Sequence, residues 1–195
     1  APPWLMEPIG RMGGGLNAMS YPDGTLPLIG DCSPPTPGLL PALGERHASY
    51  EPEPVTHLPD TGHLVFRPRP DTMVVADFGR TCPPSLPAHG QADWGTFEVW
   101  MAGERVVVDP GVSSYVGPRR QVERSTLAHN TISLDGKDDS EVWRSFRVAA
   151  MATTRRPQLS VSPDEITASA KMEPFDGESA GTHGRQRRAV TRRFS

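Results

Sequence analysis

The chain carries 195 residues, with 20 lysines and arginines against 23 acids, a formal charge of −3 and 36 % hydrophobic residues. That near-balance names no polyanion or membrane partner, and no apolar run approaches the length of a membrane span. Its 22 prolines and 19 glycines interrupt helices too often for a helical bundle and suit one β-rich domain, loop-rich or covered by a partner.

Residues 1–20 place Trp4, Leu5 and Met6, then Leu16 and Met19, around Gly13-Gly14-Gly15. A phosphate loop needs a Lys-Ser/Thr pair after the glycines and a strand before them; neither is present, and a flexible turn is predicted. Tyr21-Pro-Asp-Gly24-Thr-Leu-Pro27 reads as a turn before a short extended piece ending at Gly30-Asp31. Proline then recurs from Cys32 to Pro59, which predicts a connecting loop. Cys32 and Cys82 are the only cysteines, and their spacing fits either one bridge or two thiols.

Strand signals begin at His63–Phe66 and Met73–Phe78. Thr96–Met101 alternates, with Phe97, Val99 and Met101 on one face and Thr96, Glu98 and Trp100 on the other, polar face. Ala102-Gly103 supplies a two-residue turn, so a return strand over Glu104–Asp109 pairs Val106 with Val99 and sets Asp109 opposite Thr96, toward the His89–Asp93 loop. A further strand is predicted over His129–Leu134, closed by Asp135-Gly136, followed by strands at Phe146–Ala152, Gln158–Val161 and Glu165–Met172. Short, regularly spaced strands without βαβ alternation predict an all-β, antiparallel β-sandwich, incomplete in this chain. Arg185, Arg187, Arg188, Arg192 and Arg193 crowd the last eleven positions; a solvated strand face is preferred over a polyanion contact.

One stretch concentrates polar and titratable residues at the ends of these runs: His89-Gly-Gln91-Ala-Asp93, Val-Asp109-Pro-Gly111, Tyr115, Arg124-Ser-Thr and Ala-His129-Asn130-Thr131. In order and content it resembles the C-terminal β domain of the heparinase II/III-like polysaccharide lyases. The resemblance covers roughly residues 21–155 and implies a supersandwich-like fold. On that basis residues 1–60 are the lead-in from an N-terminal helical toroid, and 61–195 are the sandwich, truncated at its end. The chain reads as a fragment of a longer protein.

The resemblance also implies roles. His89 matches the histidine that reaches the cleft, and Tyr115 falls where a cleft tyrosine of the lyases stands; both are the expected catalytic residues. Arg124 and Asn130 are expected to bind substrate, Arg124 by meeting a carboxylate two-pronged. Asp109, His129 and Gln91 match a metal-ligand set, with glutamine in place of the family's second histidine. Glutamine is a poor zinc ligand, so zinc is expected to be weak or absent. The three are expected to hydrogen-bond to one another or to hold a harder divalent ion such as calcium.

The implied reaction is β-elimination on a uronate-containing glycan, in the periplasm or outside the cell. The family's main base and carboxylate-neutralising residues come from the helical domain, so the chain alone is expected to be inactive. Expected partners are an acidic polysaccharide and that helical domain, with no nucleic acid and no membrane span. Two rivals stay open: a non-catalytic carbohydrate-binding or structural domain, and a metal-dependent glycan hydrolase.

The residues taken alone also allow plainer roles. His129 would satisfy a buried carboxylate such as Asp109, Tyr115 would pin a corner, Arg124 would pair with Glu123 or Asp93, and Trp94, Trp100 and Trp143 would pack between sheets rather than stack on sugars.

Overall fold

The computed structural model describes residues 2–34, 53–155, 157–161 and 166–173. Most of the Cys32–Pro59 connection and the arginine-rich stretch from Arg185 to Arg193 lie outside them.

Five strands form one antiparallel meander: β1 (Val55–Leu58), β2 (His63–Arg69), β3 (Thr72–Asp77), β4 (Phe97–Met101) and β5 (Glu104–Val107) pair in chain order. Both faces of this sheet are covered, which is why β2 is buried at three successive residues, Leu64, Val65 and Phe66. On one face Leu64, Phe66, Ala76 and Phe78 pack with Trp94, Ala152, Ala168, Ala170 and Met172. The last four residues lie in or next to a second layer of short antiparallel pairs: β6 (Val142–Trp143) with β7 (Arg147–Val148), β8 (Thr153–Thr154) with β11 (Met172–Glu173), and β9 (Gln158–Val161) with β10 (Ile166–Ser169). The architecture is the all-β antiparallel sandwich that the strand spacing predicts. Each fully buried Leu or Phe of this seam contributes roughly 1.5–3 kcal/mol, and Phe78 meets Trp94 edge-on at 5.5 Å between ring centroids.

The other face, Val65, Met73, Val75 and Trp100, is covered by Tyr21 and Ile29 of the lead-in, with Met19 alongside. Here the structure corrects the expected turn at the triple glycine. Pro3–Met19 is one α-helix, α1, and the glycines lie inside it. Pro3 starts the helix where a missing N–H costs nothing; Gly13 and Ala18 are its buried residues, and a Cβ at Gly15 would meet Leu58 at an ordinary 3.9 Å. The helix forms although each glycine costs about 1 kcal/mol in a helix interior.

Two further expectations are corrected. Ala102 and Gly103 do turn the β4–β5 hairpin, both with positive φ (52° and 90°). The register then slips by one residue between Val99 and Trp100, so Val107 rather than Val106 faces Val99. This bulge leaves Val106 out of the ladder, yet Asp109 still meets Thr96, whose hydroxyl donates to its carboxylate at 2.7 Å. His129–Leu134 is not a strand; only Leu134 bridges to Lys137 across the Asp135-Gly136 turn. Side chains hold the segment irregular instead: Asn130 donates its amide to the Phe97 carbonyl at 3.1 Å and Thr131 its hydroxyl to that of Trp94 at 2.5 Å. Local side-chain bonds of this kind compete with a ladder. Cys32 and Cys82 are both free thiols.

Candidate active site

The face of β4 read from sequence as polar is buried: Thr96 and Glu98 are wholly enclosed beside Trp100. A buried carboxylate must be satisfied, and Glu98 does this by clasping the lead-in. It accepts from the Tyr21 hydroxyl (2.9 Å), the Leu28 N–H (2.8 Å) and the Asp109 N–H (3.0 Å), and pairs with Arg105 at 3.3 Å. Arg105 also donates to Thr25 Oγ1 and the Leu26 carbonyl and stacks on the Tyr21 ring. Burial pushes the Glu98 carboxyl up, while its hydrogen bonds and Arg105 hold it back. Burial and Glu98 together raise the Tyr21 phenol, which therefore remains a donor.

The clasp delivers Asp31 to the His89 loop. Asp31 is almost fully buried, and Arg120 grips both of its oxygens, one of them at 2.6 Å. Arg120 lies in a short helix, α2 (Pro118–Glu123), which starts at Gly117 with φ +85°; its Nε donates to the Ser145 carbonyl. Gln91 donates its amide to Asp31 at 2.6 Å. His89, at the end of a 3₁₀ turn (Pro87–His89), places Nδ1 3.0 Å from Asp31 while 57 % of its side chain is exposed. Because the carboxylate only accepts, Nδ1 is the donor to Asp31, and in the neutral ring Nε2 bears the lone pair.

Around His89 stand two half-exposed rings, Tyr115 (centroids 5.8 Å apart) and Phe146 (6.4 Å), which lie 5.7 Å from each other. The Arg120 guanidinium lies over the Tyr115 ring. A proton-carrying imidazole, a phenol and an aromatic shelf thus share one open surface, backed by a buried Asp–Arg pair.

Beneath this surface Asp109 and His129 are paired and buried: Nδ1 lies 3.0 and 3.1 Å from the two carboxylate oxygens. This is the plainer role weighed for His129. Gln91 does not hydrogen-bond to either, and its NH₂ is committed to Asp31. Two buried atoms that bear lone pairs, Gln91 Oε1 and His129 Nε2, have no hydrogen-bond partner among the described residues. Their chemistry fits a cation, although no three His, Cys, Asp or Glu side chains among the described residues converge to hold one. Two acids lie close by. Burial, followed by Asp77, Asp139 and Asp109, pushes the Asp93 carboxyl well up. Burial raises Asp139 to about 6, against hydrogen bonds from Ser140 and the Trp94 N–H.

Arg124, expected to meet a substrate carboxylate, lies inside the structure. It is wholly buried and directs all five N–H groups at carbonyls: Gly90 twice (2.9 and 2.7 Å), Arg144 (2.8 Å), Arg147 (3.1 Å) and Trp143 (3.4 Å). No donor remains for a substrate carboxylate, and neither Glu123 nor Asp93 is its partner. Glu123 instead accepts from Ser113 and pairs with Arg119 at 3.2 Å. Trp94 and Trp100 are packed inside, whereas Trp143 is half-exposed under Arg144. The structure brings together His89 and Tyr115; it encloses Arg124 and turns the Asn130 amide onto β4.

Asp31, Arg120, Glu98 and Phe146 were not assigned to the site from sequence. Asp31 ends the motif-like Tyr21–Asp31 piece, which offered a signal. Arg120, in an exposed-looking Pro-Arg-Arg-Gln run, offered none.

The family model described as heparinase II/III-like, C-terminal, matches residues 51–190. Three solved structures are similar to the chain. Against the "Heparinase III-BT4657 gene product" the TM-score is 0.64, with 21 % identity over 87 % of this chain and 29 % of that one. Heparan sulfate lyase HepC from Pedobacter heparinus gives 0.66, 18 %, 89 % and 29 %. A structure described as heparinase III gives 0.60, 16 %, 88 % and 33 %. The chain therefore spans about a third or less of each. No curated protein matches it in sequence.

Proposed function

The chain belongs to the heparinase II/III-like family, as its C-terminal domain, and on that premise we propose that it forms one wall of a polysaccharide lyase cleft for an acidic, uronate-containing glycan. The observation that carries this reading is the Asp31–His89–Tyr115 arrangement: two exposed proton-carrying groups, one fixed in tautomer by a buried carboxylate.

In β-elimination a base takes the proton α to the uronate carboxylate. The C–H electrons form the ring double bond, and the glycosidic C–O bond breaks as its oxygen takes a proton from an acid. A positioned side chain contributes about 10²–10⁴-fold to such a transfer. His89 Nε2 and the Tyr115 hydroxyl are this chain's groups for those proton positions. Asp31 and Arg120 keep the imidazole oriented, and Phe146 shields one side from water. With Arg124 enclosed, the charges that neutralise the uronate come from the helical domain of the complete protein, across the cleft. His89 and Tyr115 on their own are half of a machine, so this chain by itself turns over no substrate.

Gln91 Oε1 and His129 Nε2 would be this chain's two donors to a divalent ion; Asp109, bonded to the Nδ1 side of the same ring, would orient the imidazole rather than reach the ion, and two donors, one an imidazole, would hold calcium or zinc only weakly. Bound there, it would supply positive charge to a loop rich in buried acids. The substrate class places the enzyme in the periplasm or outside the cell.

The test incubates the complete gene product with heparan sulfate, hyaluronan, chondroitin and alginate while following ultraviolet absorbance of the unsaturated uronate. The expected rise disappears in His89→Ala and in Tyr115→Phe. Binding without any rise would replace this reading with a carbohydrate-binding domain, and cleavage to a saturated product would replace it with a hydrolase.

A further inference from the structure

His89 also lines a groove of about 700 Å³, within the 300–1,000 Å³ typical of ligand sites. Its walls are the β1–β2 turn (Pro59–His63), the segment after β3 (Asp77–Pro83, with Leu86) and the β8–β9 connection at Arg155 and Pro157, and His89 lies on its lining. The two loops meet through bare backbone: a Cβ on Gly62 would lie 2.2 Å from Gly79 Cα, and one on Gly79 would lie 2.0 Å from the Thr61 carbonyl. That contact fixes the groove's floor.

The lining is of two kinds. Pro59, Pro83, Leu86 and Pro157 offer apolar surface of the sort that carbohydrate C–H faces cover. Arg80 and Arg155 are exposed, and neither guanidinium has an ion-pair or hydrogen-bond partner among the described residues. Among the described residues no acid pairs with them. Asp77 is turned to its own loop, accepting from the Gly79 N–H at 2.6 Å and facing His63 at 3.8 Å, and Asp60 lies on the exposed turn between β1 and β2.

We propose that this groove is an accessory glycan subsite, in which the sugars flanking the unit at His89 lie along the apolar lining and present their anionic substituents to Arg80 and Arg155. The direction of the chain rests on the lyase reading of His89; the binding itself does not. Guanidinium groups pair with sulfate and carboxylate alike, so the two anions are separated by experiment.

The complete gene product carrying His89→Ala, which leaves the ligand uncut, is titrated calorimetrically with a heparan sulfate octasaccharide, its desulfated counterpart and a disaccharide. Adding Arg80→Gln and Arg155→Gln together should weaken the octasaccharide by about tenfold, and the disaccharide by less than about twofold. The same loss on the desulfated octasaccharide identifies carboxylate as the group read; a loss confined to the sulfated form identifies sulfate. Both variants should melt within about 1 °C of their parent, since neither side chain is bonded to the fold. Equal octasaccharide affinity with and without the two arginines, or no octasaccharide binding at all, overturns the subsite. In the His89 protein the pair should raise KM and leave kcat within about twofold. Absence of turnover together with an arginine-dependent affinity overturns the lyase reading and leaves the groove standing.

Discussion

Arg124→Ala separates a structural guanidinium from a substrate-binding one. The side chain is wholly enclosed and supplies donors to four carbonyls, those of Gly90, Trp143, Arg144 and Arg147. Truncation leaves the Gly90 carbonyl buried without a partner, at about 1–3 kcal/mol, whereas those of Trp143, Arg144 and Arg147 belong to exposed residues and can turn to water. With the lost packing of a wholly enclosed side chain, a total of roughly 2–4 kcal/mol is expected. For a chain of this size a kilocalorie moves Tm by about 2–4 °C, which makes the expected fall roughly 4–16 °C. Arg124→Lys should recover little, because one ammonium cannot reach carbonyls spread around a planar fork. Circular dichroism melts of both variants beside Arg80→Gln, an exposed arginine, measure the effect. A fall of less than about 2 °C accompanied by a raised KM would place Arg124 at the substrate and refute the reasoning.

Asp31→Asn removes the charge and turns one of two accepting oxygens into an NH₂ donor, loosening the hold on the His89 tautomer at nearly the same volume; kcat should fall by about 10–100-fold with KM little changed, as stopped assays on the complete protein would show. Asp139, raised to about 6 by burial, stabilises the fold in its protonated form: the contribution is complete below its ordinary value of 3.8 and is lost as pH rises through about 6. In chelator-treated protein, urea melts of Asp139→Asn and the parent should therefore diverge between pH 4 and 7 by about 3 kcal/mol, in favour of the variant at the upper end; parallel curves would sink the idea. Calcium added to chelator-treated protein at about 100 times its dissociation constant should stabilise it by about 2.7 kcal/mol, and Gln91→Ala should abolish that gain in thermal melts. An equal gain in the variant would remove Gln91 from the ion site.

The strands that carry the sheet were legible as short apolar runs bounded by turn residues: Leu64, Val65, Phe66 and Val75 are all buried. The helix at Pro3–Met19 was not, because three glycines and an internal Pro8 weaken every local helix signal along it. The irregular His129–Ser133 segment escaped because Asn130 and Thr131 bond backbone 33 and 37 positions away, and the bulge at Val99 has no local signal in the sequence. At the site, His89 and Tyr115 stood out by motif. Glu98 was hidden by its own alternation: a charged residue between Thr96 and Trp100 reads as solvent-facing until the segment that buries it is seen. Arg124 was misread because a motif arginine looks the same whether it binds a ligand or ties a loop.

The Glu98 clasp also bears on the order in which the molecule comes together. Its bonds to Tyr21 and Leu28 join residues 77 and 70 positions apart, and the Arg120–Asp31 pair closes a span of 89. Contacts across such distances form only after the intervening meander has shortened the loop to be closed. The pocket that orients His89 is thus completed late in folding, and its amides should exchange with solvent through openings that leave the β2–β3–β4 ladder intact. Its chemistry is switched on last and lost first, while the scaffold beneath it endures.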